Sequence, residues 1–268
     1  MTSQSCQVLE NRKVAPDHYV LRLASKPIAQ KAAPGQFVQL LCSDSYEPLL
    51  PRPFSFLTAS ATDFSLLYQV VGKGTQLLSK VEKGQSLRVL GPLGNGFTLP
   101  RMPDDLILVG GGVGIPPLYH LAQKILKSKL KILPKKIHVF LGARHKELLL
   151  CEKEFQNLGV TLKVATDDGS KGKKGFITEI LEEFLNTRHS GKTPVYTCGP
   201  TPMLKAVSAI CMKHGAPCEV SVEVPMACGF GACLGCAVKV KGSAKGEHRF
   251  AIACVEGPVF QGEELRWD

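Results

Sequence analysis

The stretch "LILVGGGVGIPPLYHLA", residues 106–122, decides the fold. Its first residues are apolar without alternation, the pattern of a strand buried on both faces. Gly110, Gly111, Gly112 and Gly114 follow, and the chain then takes on helical periodicity through "IPPLYHLAQKILKS". A buried strand, a glycine turn and a helix in that order open a βαβ unit. The pattern repeats downstream: strand "KIHVFLG", helix "ELLLCEKEFQNL", strand "TLKVAT", helix "ITEILEEFLNT", strand "PVYTCG", helix "PMLKAVSAICMKHG" and a last strand "EVSVEV". Alternation of this kind predicts a parallel sheet covered by helices. The glycine turn lets backbone approach a ligand, and the helix start offers free amides to a pyrophosphate. It departs from a strict G-x-G-x-x-G, because Pro117 stands last, and such a turn alone also occurs without a dinucleotide. "VYTCGPTPML" is a second turn of the same kind, with Cys198 at the carboxyl end of its strand, where α/β sheets place ligands.

Upstream, short apolar runs ("QFVQLLC", "FSFLTAS", "FSLLYQVVG", "QSLRVLG") are separated by turn signals, which predicts a small antiparallel barrel or sandwich. In "PRPFSF", Arg52 is a fixed cation suited to a phosphate, and Ser55 is a short polar group. An arginine on a barrel edge is equally a surface charge. In "LYQVVGKGTQLL" a strand breaks at Gly72 and Gly74 into a helix start, with Thr75 as an N-cap candidate.

Downstream, "CGFGACLGC", residues 228–236, holds Cys228, Cys233 and Cys236, and Cys254 follows after seventeen residues. Cys-x4-Cys-x2-Cys…Cys is the plant-type spacing for a [2Fe–2S] cluster. Gly229, Gly231 and Gly235 allow a loop to bend closely around such a group. Structural zinc is the alternative, although its sites more often show two short Cys pairs. Cys218 competes with Cys254 as fourth ligand; Cys254 is preferred because it follows the loop. The cysteines at 6, 42, 151 and 211 read as small buried residues.

The whole is a multidomain α+β chain: an antiparallel barrel over 1–100, an α/β parallel-sheet nucleotide domain over 101–220 and a small C-terminal metal segment over 221–268. Its net charge is +10, from 33 Lys and Arg against 23 Asp and Glu, but the lysines are scattered and no nucleic-acid motif is present. No run of 18 apolar residues predicts a membrane span, and no basic-then-apolar start predicts a signal peptide. Ten cysteines then fit a reducing cytoplasm and a metal or catalytic role for the clustered ones.

The barrel with R-P-x-S, the "GGGVG" and "CGP" turns and the tail "MACGFGACLGCAV…CVEGPVF" resemble the ferredoxin–NADP reductase superfamily, and within it the electron transfer subunits of dihydroorotate dehydrogenase B. The resemblance spans essentially the whole chain. It implies an oxidoreductase subunit of pyrimidine biosynthesis, with FAD in the barrel, a [2Fe–2S] cluster in the tail and NAD at the nucleotide domain. Arg52, Pro53, Phe54 and Ser55 would hold the flavin, with Leu67, Tyr68 and Gln69 beside it and Gly74 and Thr75 at its pyrophosphate. Gly111, Gly112 and Gly114 would meet the nicotinamide nucleotide. Ser55 and Cys198 would be the catalytic pair at the nicotinamide–flavin contact. Cys228, Cys233, Cys236 and Cys254 would ligate the cluster. A catalytic subunit with FMN would be the partner, in a heterotetramer of two of each. Reductase subunits serving a hydrogenase, a sulfite reductase or a ferredoxin are the neighbouring reading, and the ferredoxin-linked ones carry Asp where this chain has Cys228. A zinc-stapled nucleotide-binding regulator is the reading from another class. The interval before Cys254 is long for the family, and position 256 is Glu. NAD against NADP stays open, since Asp167 and Asp168 disfavour a phosphate while Arg144 could hold one.

Overall fold

A computed structural model of the chain describes residues 1–43, 45–99, 105–128, 132–187, 193–244 and 246–267. Six strands close the N-terminal barrel: β1 (Thr2–Ala15), β2 (His18–Ala24), β3 (Phe37–Leu40), β4 (Arg52–Ala59), β5 (Asp63–Gln69) and β6 (Ser86–Leu93), in the order β1-β2-β5-β4-β3-β6. A short α1 (Lys26–Ala29) adds Ile28 and Ala29 to the barrel core, and α2 (Lys73–Leu78) follows β5. Alternation works as a strand requires. Val38, Leu40, Phe56, Phe64 and Leu66 fill the barrel, while Phe37 packs outward in the core that also holds Cys236 and Cys254. The strands β1 and β2 go beyond the four runs legible in the sequence. The opening strand shows only Cys6 and Val8 as fully buried side chains, so its apolar signal is faint.

The second unit is a seven-stranded sheet in the order β10-β9-β8-β7-β11-β12-β15. Its members are β7 (Leu106–Gly111), β8 (Ile137–Ala143), β9 (Thr161–Thr166), β10 (Lys173–Lys174), β11 (Val195–Cys198), β12 (Cys218–Ser221) and, after a β13–β14 hairpin (Ala237–Lys241, His248–Ile252), β15 (Val259–Gln261). All but β15 run parallel. The β7 strand is buried along its whole length between β8 and β11, as its unbroken apolar run predicts. Leu106 and Leu108 face α3 (Ile115–Leu126) and α4 (Glu152–Asn157); Ile107 and Val109 face α5 (Ile177–Asn186) and α6 (Thr201–His214). The helix expected over 147–158 begins only at Glu152, because Cys151 takes a left-handed φ of 58° that no helix accommodates.

The C-terminal segment is tied to both units. Through β15 it joins the nucleotide sheet, and Asn95 of the barrel donates from its backbone to Gly257 O at 2.6 Å and from its side chain to the Val255 and Glu256 carbonyls. The lysine-rich interval before Cys254 is the β13–β14 hairpin, closed by Glu256, which accepts from Arg249 and the Ile252 amide. The expected first boundary, at residues 100–104, lies outside the described residues. No described helix is long and apolar enough to cross a membrane.

A buried histidine sits at the joint between barrel and sheet. His120 of α3 is 4% exposed and meets the Phe56 ring at 6.3 Å, and its Nδ1 has no partner among the described residues. Burial, with Lys124 and Lys127 adding to it, lowers its pKa to about 4. A depressed folded pKa means that stability is intact above the unfolded value near 6.5 and is lost as pH falls toward 4, where the unfolded chain binds the extra proton. The loss over that window should approach about 3 kcal/mol. Urea unfolding at several pH values should show the wild-type chain losing this increment relative to His120→Leu; parallel profiles would refute it.

Candidate functional site

A cleft of about 850 Å³ opens between the barrel and the nucleotide sheet, near the upper end for small-molecule sites. Its barrel wall comes from β4 and the end of β5 with the turn after it: Arg52, Pro53, Phe54, Ser55, Leu67, Tyr68, Gln69, Gly74 and Thr75 all border it. The arginine is anchored on one side, where Nη1 donates to Leu50 O at 2.7 Å and Pro51 O at 3.3 Å. A Cβ at Gly74 would stand 3.4 Å from both Arg52 Nε and Cys42 Sγ, so glycine keeps open the space beside the guanidinium. These features suit an anionic group carried by a large planar cofactor. One residue behaves differently from the sequence expectation, and one has a second role. Thr75 is not the N-cap: Gly72 is, and the Thr75 hydroxyl reaches back to accept from the Val71 and Gly72 amides and donate to Gly72 O. The Tyr68 ring is only 1% exposed, stacks on Tyr19 and donates to Asn11, so it supports the wall from inside the barrel.

A second cleft of about 600 Å³ lies over the carboxyl ends of the parallel strands. Gly111, Gly112 and Gly114 line it with Arg144, Asp167 and Phe176. Gly112 has φ +54°, and a Cβ there would meet nothing within 4 Å, so its backbone is bare to the cleft. Gly114 lines the cleft and also serves packing. A Cβ there would come within 2.4 Å of Gly199 N and 2.5 Å of the Cys198 carbonyl. The "GGGVG" and "CGP" turns therefore touch backbone to backbone, and Thr197 locks β11 to β7 by donating to Val109 O at 2.9 Å. The two clefts share Gln69, Val113, Gly114, Gly199, Pro200 and Glu223. Two ligands held in them would meet at that rim. Cys198 borders the first cleft there; burial, opposed by Ser221 and reinforced by Glu223, pushes its thiol up to about 12, so it is a neutral donor at neutral pH. Asp168 is turned away, accepting from Ser170.

The cysteine loop packs behind the barrel wall of the first cleft, where Gly229 meets Gln39 of β3, the ladder partner of Pro53. Gly229 and Gly231 take left-handed φ values of 80° and 91°, as does Leu234 at 57°. The four cysteines gather as two pairs. The Cys233 amide donates to Cys228 Sγ at 3.5 Å, and the Cys254 amide to Cys236 Sγ at 3.4 Å. Burial alone would raise the Cys228 thiol, but the Phe230 and Cys233 amides, with the Cys233 thiol and Ala232 amide, outweigh it and bring it to about 6. Burial, then the neighbouring Cys236 thiol, pushes Cys254 up to about 12, and the charge of Cys228 reaches it too. Among the described residues no three His, Cys, Asp or Glu side chains close on one point as a single ion requires. Two thiol pairs, close enough for the charge of Cys228 to act on Cys254, would suit a two-iron rhomb, and amides aimed at sulfur favour the thiolate form. Cys218 is elsewhere: it lies on β12 with its thiol against Cys211.

Residues 108–209 match the family model of the oxidoreductase NAD-binding domain, and residues 223–266 match that of the iron–sulfur cluster binding domain of dihydroorotate dehydrogenase B. The dihydroorotate dehydrogenase B (NAD(+)) electron transfer subunit of Desulforamulus reducens is 39% identical over 98% of this chain and 97% of its own. The chain belongs to this family. The electron transfer subunit of Caldanaerobacter subterraneus subsp. tengcongensis is 41% identical over 97% of this chain and 96% of its own. A solved chain from work on flavin-based electron bifurcation by an NADH-dependent reduced ferredoxin–NADP oxidoreductase is also similar. It has 31% identity and a TM-score of 0.84, over 98% of this chain and 90% of that one.

For a member of the electron transfer subunit family, sequence reading left several lining residues unmarked. Ser221, Val222, Glu223, Val224 and Met226 line the first cleft, because β12 ends at Ser221 and the chain then crosses the cleft mouth. Glu223 reaches both clefts. Its only signal in sequence is a carboxylate just past the end of a parallel strand, where such sheets bind ligands.

Proposed function

We propose that this chain relays electrons between NAD+ and a catalytic subunit that carries FMN and oxidises dihydroorotate to orotate. The observation that carries the reading is the rim shared by the two clefts, with the paired cysteines behind the barrel wall of the first. When bound, the [2Fe–2S] cluster passes single electrons, and FAD collects two and exchanges a hydride with NAD. The chain's own residues supply binding and order. Arg52, Pro53, Phe54 and Ser55, with Leu67, Tyr68 and Gln69, hold the flavin, and the opening at Gly74 and Thr75 takes its pyrophosphate. Gly111, Gly112 and Gly114 take the nicotinamide nucleotide. Asp167 and Arg144 both line the second cleft, so charge there does not by itself choose between NAD and NADP; the NAD(+)-linked relatives favour NAD. Ser55 and Cys198 present a hydroxyl and a protonated thiol to the first cleft, and Glu223 adds a carboxylate at the shared rim. Cys228, Cys233, Cys236 and Cys254 bind the cluster. Phe230, Leu234 and Val255 around that loop are 49%, 61% and 50% exposed; this apolar face suits a partner that must come close to the cluster. Assembly as two of each subunit, in the cytoplasm, completes the reading, and ten cysteines outside any disulfide fit a reducing compartment.

The first test is an anaerobic absorption titration of the purified chain with NADH. Bleaching of both flavin and iron–sulfur bands is expected. A colourless protein whose bound metal is zinc would replace the relay by a nucleotide-binding regulator. Glu223→Gln keeps the size of the side chain and removes its charge from the rim. It should slow flavin reduction by NADH on the order of 100-fold, the lower end of what a positioned acid–base side chain contributes, with NAD affinity nearly unchanged. Stopped-flow reduction at saturating NADH reads this, and equal rates would remove Glu223 from the chemistry.

A further inference from the structure

Gln39 has no role in the sites above, yet it is the polar residue that the barrel presents to the cysteine loop. It lies on β3 between Val38 and Leu40, which face the barrel interior. With Phe37 it faces outward, under the C-terminal segment, and it is 2% exposed. Neither Oε1 nor Nε2 has a hydrogen-bond partner among the described residues. An unpaired carboxamide in that position is destabilising unless something else satisfies it. Its side chain lies directly against Gly229, the residue after Cys228. A Cβ at 229 would come 2.4 Å from Gln39 Cγ, 2.7 Å from Nε2 and 3.0 Å from Cδ. Across the strand ladder Gln39 pairs with Pro53, whose strand lines the first cleft. An orphaned amide and a glycine that makes room for it thus meet beside one thiol pair.

The geometry points to Gln39 as a positioning residue whose Nε2 donates a hydrogen bond to sulfur at the Cys228 end of the bound cluster. This rests on the relay reading above. Donors to cluster sulfur favour the reduced, more negative state and raise the potential. Gln39 would therefore set the cluster's potential and hold the cysteine loop against the flavin-side strand. An apolar side chain of the same size could do neither through hydrogen bonding.

The test is an EPR-monitored redox titration of the anaerobically purified chain, wild type against Gln39→Leu, after iron and sulfide analysis of each. Gln39→Leu should keep its iron and sulfide. Its midpoint should fall by the equivalent of a tenfold change in the reduction equilibrium, about 59 mV for one electron, with altered g-values. The cluster-free Gln39→Leu chain should melt no lower than wild type, because an orphaned amide has been removed. Gln39→Met, of similar length and without an N–H donor, should also lower the midpoint, and it carries the test if the leucine variant does not fold. Wild-type midpoints and g-values in variants that retain the cluster would overturn the assignment of Gln39 alone. A wild-type chain holding zinc and no sulfide would overturn the relay reading, and this inference with it.

Discussion

Cys254→Ser is expected to abolish NAD-linked orotate formation while the chain stays folded. Cys254 is 4% exposed and paired with Cys236, so its loss would leave the proposed cluster with three of its four protein thiolates. A serine hydroxyl ionises far less readily than a thiol and replaces it poorly as a ligand. Changes to outer-shell residues already cost roughly 10- to 100-fold in metal affinity, and removal of a ligand should cost more. The segment does not depend on the metal alone for its place. Its β15 strand is in the nucleotide sheet, and Asn95 holds the loop after Cys254. Far-UV circular dichroism should therefore be retained, and iron and sulfide should fall to near background. NADH should still reduce the flavin, because both clefts are intact. Cys218→Ser is the control: its thiol contacts Cys211, and the variant should keep its cluster. A Cys254→Ser chain with full iron and sulfide, beside a Cys218→Ser chain without them, would transfer the fourth ligand to Cys218.

Legibility in the sequence followed how local the cause was. The buried strand and glycine turn at 106–114 could be read directly, since an unbroken apolar run and four glycines have few other uses. The Cys-x4-Cys-x2-Cys triplet was legible for the same reason, whereas a fourth ligand was not, because Cys218 and Cys254 both stand at long and unconstrained intervals from it. Strand β1 was hidden because most of its side chains face water or the barrel rim. Glu223 and Gln39 were hidden because their settings are made by other parts of the chain. Glu223 enters the clefts only because β12 stops at Ser221 and the backbone turns across them. Gln39 reads in "QFVQLLC" as the polar outer face of a barrel strand, and only the C-terminal segment, about 190 residues later, buries it. The thiol pairing is likewise a product of the hairpin that returns Cys254 to Cys236.

Gly114→Ala is expected to remove NAD reduction and to lower the melting temperature more than any neighbouring glycine substitution. The backbone at Gly114 is ordinary, with φ −80°, so no conformational penalty arises. The penalty is collision. The new methyl would sit 2.4 Å from Gly199 N and 2.5 Å from both the carbonyl carbon and oxygen of Cys198. These are backbone atoms, and no rotamer change can withdraw them. Relief requires the two turns to part, which breaks the rim common to both clefts and shifts Cys198 from its place. Overpacking of this kind costs about 3 kcal/mol or more, or roughly 6–12 °C for a chain of this size. Gly112→Ala provides the contrast. Its Cβ would meet nothing within 4 Å, and its cost is the left-handed φ of +54° alone, about 1–2 kcal/mol. With the catalytic partner and dihydroorotate supplied, the Gly114→Ala chain should still bleach its flavin, because the cysteine loop lies behind the far wall of the first cleft. NAD+ would then fail to reoxidise it. Wild-type melting together with wild-type NAD+ reduction would mean that the two turns separate freely, and the shared rim would lose its part in hydride exchange.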